Sequence, residues 1–191
     1  MHKGRLEAFS DGVLAIIITI MVLEMKVPHG VDWAALAPIL PVFLSYVLSF
    51  VYVAIYWTNH HHLLQAVKHV NGASLCANLH LLFWLSLFPF VTGWMGENHF
   101  ALLPVVAYGA VLIAAAIAYY LLVRTLLATH DGDSALARAI GDDFKGRVSI
   151  AIYAAGIALA FWSRWLGLGL YVFVAIIWLV PDRRIERTIA S

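Results

Sequence analysis

The chain has 191 residues, of which 63% are hydrophobic and 12% are charged, and its formal net charge is +1. A soluble domain carries about 25% charged residues, and a chain this close to neutral offers no basic face to nucleic acid. Composition and charge therefore exclude an ordinary soluble domain and indicate an integral membrane protein, with a mean hydropathy of +0.87.

The charged residues are clustered, and the windows between the clusters have the length of membrane spans. From Pro28 to Val67 the only full charge is Asp32, and from Val70 to Val123 it is Glu97. Because a spanning helix needs about 20 apolar residues, we predict an all-α polytopic membrane protein with six transmembrane helices in one domain, residues 1–191. In chain order the helices cover about 5–26, 34–63, 72–95, 99–127, 146–164 and 167–180, with a polar loop from Thr129 to Arg147 before the fifth.

The first predicted helix carries Ser10 and Asp11 inside the apolar segment AFSDGVLAIIITIMVL. An ionisable residue in a membrane helix is costly and marks a functional site by default. The residues MHKGR before this segment also resemble the start of a signal peptide. Ser10 and Asp11 interrupt the apolar region, however, and no small-residue cleavage site follows. We therefore predict that the segment is retained as a helix.

The second and third predicted helices carry polar residues at steps of three and four. These stripes are Ser45, Ser49, Tyr52, Tyr56 and His60 in the second helix, and Asn71, Ser74 and Asn78 in the third. If the N-terminus lies inside, Asp11, His60 and Asn78 all fall in the same third of the bilayer, at 1.5 Å per residue. Polar stripes in membrane helices are satisfied by hydrogen bonds between helices. We predict that Ser10 and Asp11 are hydrogen-bonded to His60 and Asn78.

Lysine and arginine are distributed unevenly between the two sides of the predicted bundle. With the N-terminus inside, only Lys26 and Arg164 of the 12 Lys and Arg residues fall on the outer side. Cytoplasmic segments are enriched in these residues, and six spans return the chain to the side where it began. Both termini are therefore predicted to be cytoplasmic.

The apolar residues of the first helix form a stripe of their own. This stripe consists of Gly12, Ile16, Thr19, Ile20 and Leu23. Asp11 lies five residues before Ile16, roughly 140° around the helix. If Asp11 faces its own bundle, the stripe faces away from that bundle, toward either lipid or a second subunit.

Two other motifs are interpreted as structural. Three adjacent histidines, His60–His62, invite a metal or haem interpretation, but neighbouring helix positions point about 100° apart and do not easily share one ion. The stretch LGLGLY, Leu166–Tyr171, faintly resembles a potassium-selectivity filter, yet it opens an apolar span and favours helix-packing glycines. No nucleophile with a neighbouring base appears, so we predict that the protein is not an enzyme. A haem- or quinone-linked redox subunit and a proton-coupled cation carrier remain as alternatives.

Three segments taken together resemble the transmembrane protein 175 family of potassium channels. They are R5…FSDGVLAIIITIMVLEMKVP, SYVLSFVYVAIYWTNHHHLL and NLHLLFWLSLFPFVT, within about residues 5–92. The resemblance implies a potassium-selective channel with no cofactor and no bound metal. It also implies a homotetramer, because a single six-helix repeat is typical of prokaryotic members, and a location in the inner (plasma) membrane.

The resemblance also assigns roles to residues of the first three helices. It implies that the first helix lines the pore, with Ile16 as the narrowest point and with Ile20 and Leu23 continuing the pore-facing stripe. Thr19, with Ile16, corresponds to the layer associated with potassium preference. The remaining matched residues belong to a structural hydrogen-bond network: Arg5, Phe9, Ser10, Asp11, His60 and Asn78. The second half of the chain carries no motif that the resemblance covers.

Overall fold

The computed structural model describes residues 3–67, 69–129 and 144–179. Within these ranges the chain forms one 3₁₀ helix and seven α-helices, and it forms no strand. In chain order they are α1 (Lys3–Leu23), the 3₁₀ helix (Trp33–Ile39), α2 (Leu40–Ala66), α3 (Gly72–Ser86), α4 (Phe88–Glu97), α5 (Leu102–Ala128), α6 (Phe144–Ala160) and α7 (Arg164–Leu179).

These elements account for the six predicted spans, so the all-helical expectation is confirmed. Four segments of the described chain are long and apolar enough to cross a membrane: α1, the 3₁₀ helix with α2, α3 with α4, and α5. The last two predicted spans correspond to the shorter helices α6 and α7, and the turn between these helices lies at residues 161–163 rather than between 164 and 167. Residues 130–143 of the predicted polar loop lie outside the described ranges.

The third predicted span is divided into two helices, α3 and α4. The division falls at Leu87, and Pro89 lies in the first turn of α4. Proline has no backbone N–H, so it cannot donate to the carbonyl four residues earlier, and a helix restarts more easily than it continues through it. The span is therefore interrupted at Leu87, although both of its halves pack against α1 and α5.

Local backbone chemistry also shifts the starts of two other spans. The second span begins as a 3₁₀ helix, capped by Asp32, whose Oδ1 accepts from the backbone N–H of Ala35 at 3.1 Å. Pro38 and Pro41 follow, and α-helical geometry begins only at Leu40. Before α5, His99 and Phe100 have φ of 49° and 56°, and this left-handed turn delays the helix to Leu102.

The helices are arranged with α1 on one side of the bundle. α1 packs against α2, α3 and α4, whereas α5 connects α3 and α4 to the α6–α7 hairpin. α7 also reaches α2, where the hydroxyl of Tyr52 donates to the carbonyl of Tyr171 at 2.6 Å. One face of α1 is consequently left uncovered by the other described helices.

Small residues allow α5, α6 and α7 to approach closely. A Cβ at Gly156 would lie 2.6 Å from the Tyr171 ring, and a Cβ at Gly167 would lie 2.6 Å from the carbonyl oxygen of Gly156. Glycine at such crossings is how membrane helices obtain dense packing. Leu166–Tyr171 lies within α7 rather than in a loop, and Gly167 packs as predicted, whereas Gly169 faces open space.

Gly109 on α5 provides a test of this packing. A Cβ there would overlap the Tyr171 hydroxyl and would lie 2.8 Å from Ile157. We expect Gly109→Ala to lower the free energy of unfolding by about 1–3 kcal/mol, as overpacking of a core does. Thermal unfolding in detergent measures the change, and Gly169→Ala is the matched control. Equal stability of the two variants would contradict the close packing.

Candidate functional site

One face of α1 is buried, and a chain of hydrogen bonds crosses it. The serine hydroxyl of Ser10 donates to the Leu6 carbonyl at 2.8 Å and accepts from Nδ2 of Asn78 at 3.0 Å. Nε2 of His60 donates to Oδ1 of Asn78 at 2.7 Å. Ser10 and Asn78 are fully buried and His60 is 2% exposed. The structure thus brings Ser10, Asn78 and His60 together and joins α1, α3 and α2.

Asp11 has a different partner from the one expected. Its Oδ1 accepts from Nε1 of Trp57 on α2 at 3.0 Å, instead of bonding to His60 or Asn78. Neighbouring helix residues point about 100° apart, so when Ser10 faces α3, Asp11 turns toward α2. Trp57 was not singled out in the sequence. The available signal was its indole N–H, which needs an acceptor inside an apolar helix.

The beginning of α1 is held by residues other than Arg5. Arg5 is exposed and has no hydrogen bond or ion pair with another residue in the described ranges. Instead, Nζ of Lys3 donates to the Val67 carbonyl at the end of α2 at 3.0 Å. Glu7 lies 3.4 Å from the ring of His61. The last carbonyls of a helix lack partners within it, so Lys3 completes the end of α2.

The three adjacent histidines contact three different surroundings. His60 bonds to Asn78, while Nε2 of His61 accepts from the amide of Gln65 at 2.8 Å. Nδ1 of His62 is buried without a partner among the described residues. His60 is therefore the member of the run that takes part in the network around α1.

The opposite face of α1 is exposed. We call it the α1 ridge, and it consists of Gly12, Ile16, Thr19, Ile20 and Leu23. Ile16 is 58% exposed and Leu23 is 81% exposed, although both are large and apolar. The hydroxyl of Thr19 donates to the Ile16 carbonyl at 2.9 Å. A contiguous exposed apolar surface of this kind marks a contact with lipid or with another protein surface.

The comparisons with known proteins bear directly on this helix. The sequence profile described as endosomal/lysosomal potassium channel TMEM175 matches residues 5–89, which contain α1 from Arg5 onward together with Trp57, His60 and Asn78. A relative from Chryseobacterium sp., named a potassium channel, is 58% identical over 99% of this chain and 98% of its own. The chain belongs to the TMEM175 family.

The likeness to TMEM175 proteins extends beyond the residues that the profile matches. A potassium channel from Chamaesiphon minutus is 32% identical over 92% of both chains. The crystal structure of a lysosomal potassium-selective channel TMEM175 homolog from the same organism superposes with a TM-score of 0.78, covering 93% of this chain and 96% of that one. The family resemblance and the assignment to ion channels rather than enzymes are confirmed.

Animal TMEM175 proteins match over a shorter stretch. The human endosomal/lysosomal proton channel TMEM175 is 38% identical over 85 residues, which are 38% of this chain and 17% of the human one. The rat protein of the same name gives 39% over 80 residues. The shared part is therefore of the size of α1, α2 and α3 together.

The Asp11–Trp57 bond can be tested by two substitutions. We expect Asp11→Ala to lower the free energy of unfolding by about 1–3 kcal/mol, because the Trp57 N–H loses its acceptor. Asp11→Asn retains a side-chain oxygen in the same place and should lose much less. Thermal unfolding in detergent compares the two. An Asp11→Ala protein as stable as the parent would refute the bond.

Proposed function

We propose that this protein is a homotetrameric potassium channel of the inner (plasma) membrane, with K⁺ as the permeant ion and with no cofactor. Each subunit is a single six-helix domain with cytoplasmic termini, and α1 of each subunit lines a central pore. Relatives that match over nearly their whole length are named potassium channels. A structural neighbour with the same fold is described as potassium-selective.

The observation that carries the proposal is the division of α1 into two faces. One face is buried and bonded through Ser10, and the other face, the α1 ridge, is uncovered. Lipid would suit an apolar ridge equally well, but the channel activity of the relatives favours an axis that four subunits share. On that axis the four ridges cover one another and enclose the ion path.

Ile16 is the proposed constriction. It lies near the middle of α1 and is exposed on the ridge. Four isoleucine side chains around an axis form an apolar ring, and such a ring can gate conduction by excluding water. Ile20 and Leu23 extend the apolar lining toward the end of the helix.

Thr19 is the proposed contributor to selectivity, together with Ile16. Its only hydroxyl proton is donated to the Ile16 carbonyl. The lone pairs of its oxygen are therefore free to accept, and oxygen ligands are what a partly dehydrated potassium ion requires. Four such hydroxyls, one turn from the Ile16 ring, would form a layer of oxygens around the axis.

The hydrogen-bonded side of α1 has a supporting role in this proposal; Ser10, His60 and Asn78 are buried there, whereas the Asp11–Trp57 bond is exposed. Ser10, Asn78, His60 and the Asp11–Trp57 pair hold one rotational setting of the helix. A helix with a 3.6-residue repeat presents a single stripe to the axis only if it does not rotate. Arg5, which is exposed in one subunit, is proposed to join this network through contacts with a neighbouring copy.

Flux measurements on the purified protein in liposomes test the function. With a potassium gradient we expect passive K⁺ flux that does not saturate and is larger than Na⁺ flux, with protein-free liposomes as the control. Flux that saturates and requires a proton gradient would indicate a carrier instead. Chemical cross-linking in the same liposomes tests the oligomeric state, and we expect products of up to four subunits. If no product contains more than two subunits, the tetramer is contradicted.

A further inference from the structure

A second group of buried polar side chains contacts α1, near its end rather than near its start. The hydroxyl of Thr92 on α4 contacts Sδ of Met21 on α1 at 3.8 Å. The Ser49 hydroxyl lies 2.6 Å from that of Thr92 and 3.0 Å from that of Tyr108 on α5. None of these four side chains is more than 3% exposed. The group therefore connects α1 with α4, α2 and α5 inside the bundle.

The direction of these hydrogen bonds follows from counting protons. Each hydroxyl has a single proton to donate, and Thr92 uses its proton on the sulfur of Met21. Ser49 must then donate to Thr92, and Tyr108 must donate to Ser49. All three hydroxyls are satisfied only in this order, and the chain ends on α1. We name it the hydroxyl chain: Tyr108, Ser49, Thr92 and Met21.

The position of Met21 explains why this contact matters. Met21 is the last buried residue of α1. Thr19 and Leu23 each lie two residues from it, about 200° around the helix, which places both on the opposite side. A contact that holds Met21 on the buried side of α1 therefore also sets the direction in which Thr19 and Leu23 point on the opposite side.

The hydroxyl chain contacts α1 at a different place from the hydrogen bonds near the start of the helix. Ser10 is bonded to α3, whereas Met21 contacts α4, and the break at Leu87 separates these two helices. We infer that Thr92 is a positioning residue for α1, which through the hydroxyl chain sets the rotation of the last turns of the pore-lining helix. The assignment of α1 to the pore rests on the proposed function, whereas the contact with α4 does not.

A cross-linking experiment measures the position of α1 directly. Glu24 follows the end of α1, and its Oε2 lies 3.8 Å from the place of a Cβ at Gly93, the residue after Thr92. Cys76 is the single cysteine of the chain, so Cys76→Ser gives a background in which Glu24→Cys and Gly93→Cys form one reporter pair. The rate of cross-linking with a short thiol-reactive linker is read by mass spectrometry.

Thr92→Val keeps the shape of the side chain and removes its hydroxyl. We expect it to lower the cross-linking rate about threefold, the size of effect that the loss of one interhelical hydrogen bond in a membrane produces. Ser49→Ala removes the donor to Thr92 and should act in the same direction. Thr92→Ser should restore the parent rate. Thr58→Val is the control, because Thr58 is exposed and its hydroxyl donates to the Ala54 carbonyl of its own helix.

Potassium and sodium flux in liposomes complete the test. A slower cross-link in Thr92→Val, together with a smaller ratio of K⁺ to Na⁺ flux, supports the proposal. A slower cross-link with an unchanged flux ratio also supports the positioning of α1 by Thr92, and counts instead against the pore-lining role of α1. A Thr92→Val protein that cross-links at the parent rate overturns the proposal.

Discussion

Ile16→Asn is expected to increase ion flux and to weaken the preference for potassium. An amide in place of the isoleucine side chain holds water at the proposed constriction, so the barrier from dewetting falls. A tenfold increase in flux corresponds to a barrier about 1.4 kcal/mol lower, and we expect an effect of at least that order. Flux assays with K⁺ and Na⁺ gradients in liposomes measure both quantities.

The matched control for Ile16→Asn is the same substitution at Ile176. Ile176 lies on α7 and is 55% exposed, close to the exposure of Ile16. Ile176→Asn introduces the same amide on a helix that is not part of the α1 ridge. Equal flux and equal selectivity in Ile16→Asn, Ile176→Asn and the parent would show that the α1 ridge does not line the ion path.

Asn78→Leu is expected to have the largest effect on stability. Asn78 is fully buried and, within the part of the chain that the structure describes, links Ser10 to His60. Its loss leaves both ring nitrogens of His60 without a described partner, since Nδ1 already has none. Each buried polar group that loses its partner costs about 1–3 kcal/mol. Thermal unfolding in detergent should show the loss, and K⁺ flux should fall because α1 is no longer held.

Asn98→Leu provides the comparison for Asn78→Leu. Asn98 is exposed and donates only to the Trp94 carbonyl one turn earlier. Asn98→Leu removes the same amide group from a position outside the buried network around Ser10. If Asn78→Leu unfolds at the same temperature as Asn98→Leu, the buried network does not hold the helix.

Helical spacing in the sequence was enough to find the buried network. The stripe from Ser45 to His60 is buried throughout, and Asn78 meets Ser10 at the same depth. Asn71 is exposed and is not part of the buried stripe of α3, because its side chain caps the start of that helix by accepting from the Ser74 N–H at 2.9 Å. A side chain at a helix end can cap the free backbone N–H groups, and helical periodicity does not reveal this role.

The partner of Asp11 and the break before α4 could not be obtained in the same way. Spacing gives the direction of a side chain only to within about one helix position, and Asp11 differs from Ser10 by one position. Pro89 was visible in the sequence, but proline in a membrane span is compatible with a bend as well as with a break. Which of the two occurs depends on the neighbouring helices, and these are known only once the bundle is assembled.

The exposed ridge illustrates the limit of sequence reasoning about a pore. The 3.6-residue repeat correctly separated Ile16 from the buried side of α1. It could not distinguish lipid from a second subunit, because an apolar side chain is equally stable against both. Our proposal that a second subunit covers the ridge draws on the relatives of this chain, which are named potassium channels.

The contacts of α1 have a consequence for sequence change over time. α1 packs mainly against α2, α3 and α4, and the family profile matches residues 5–89, where most of these contacts lie. Sequence drift in α6 and α7 is thus tolerated as long as the hairpin still fits α5 and α2. A chimera that carries this hairpin from a distant homologue should retain the parent's ion preference.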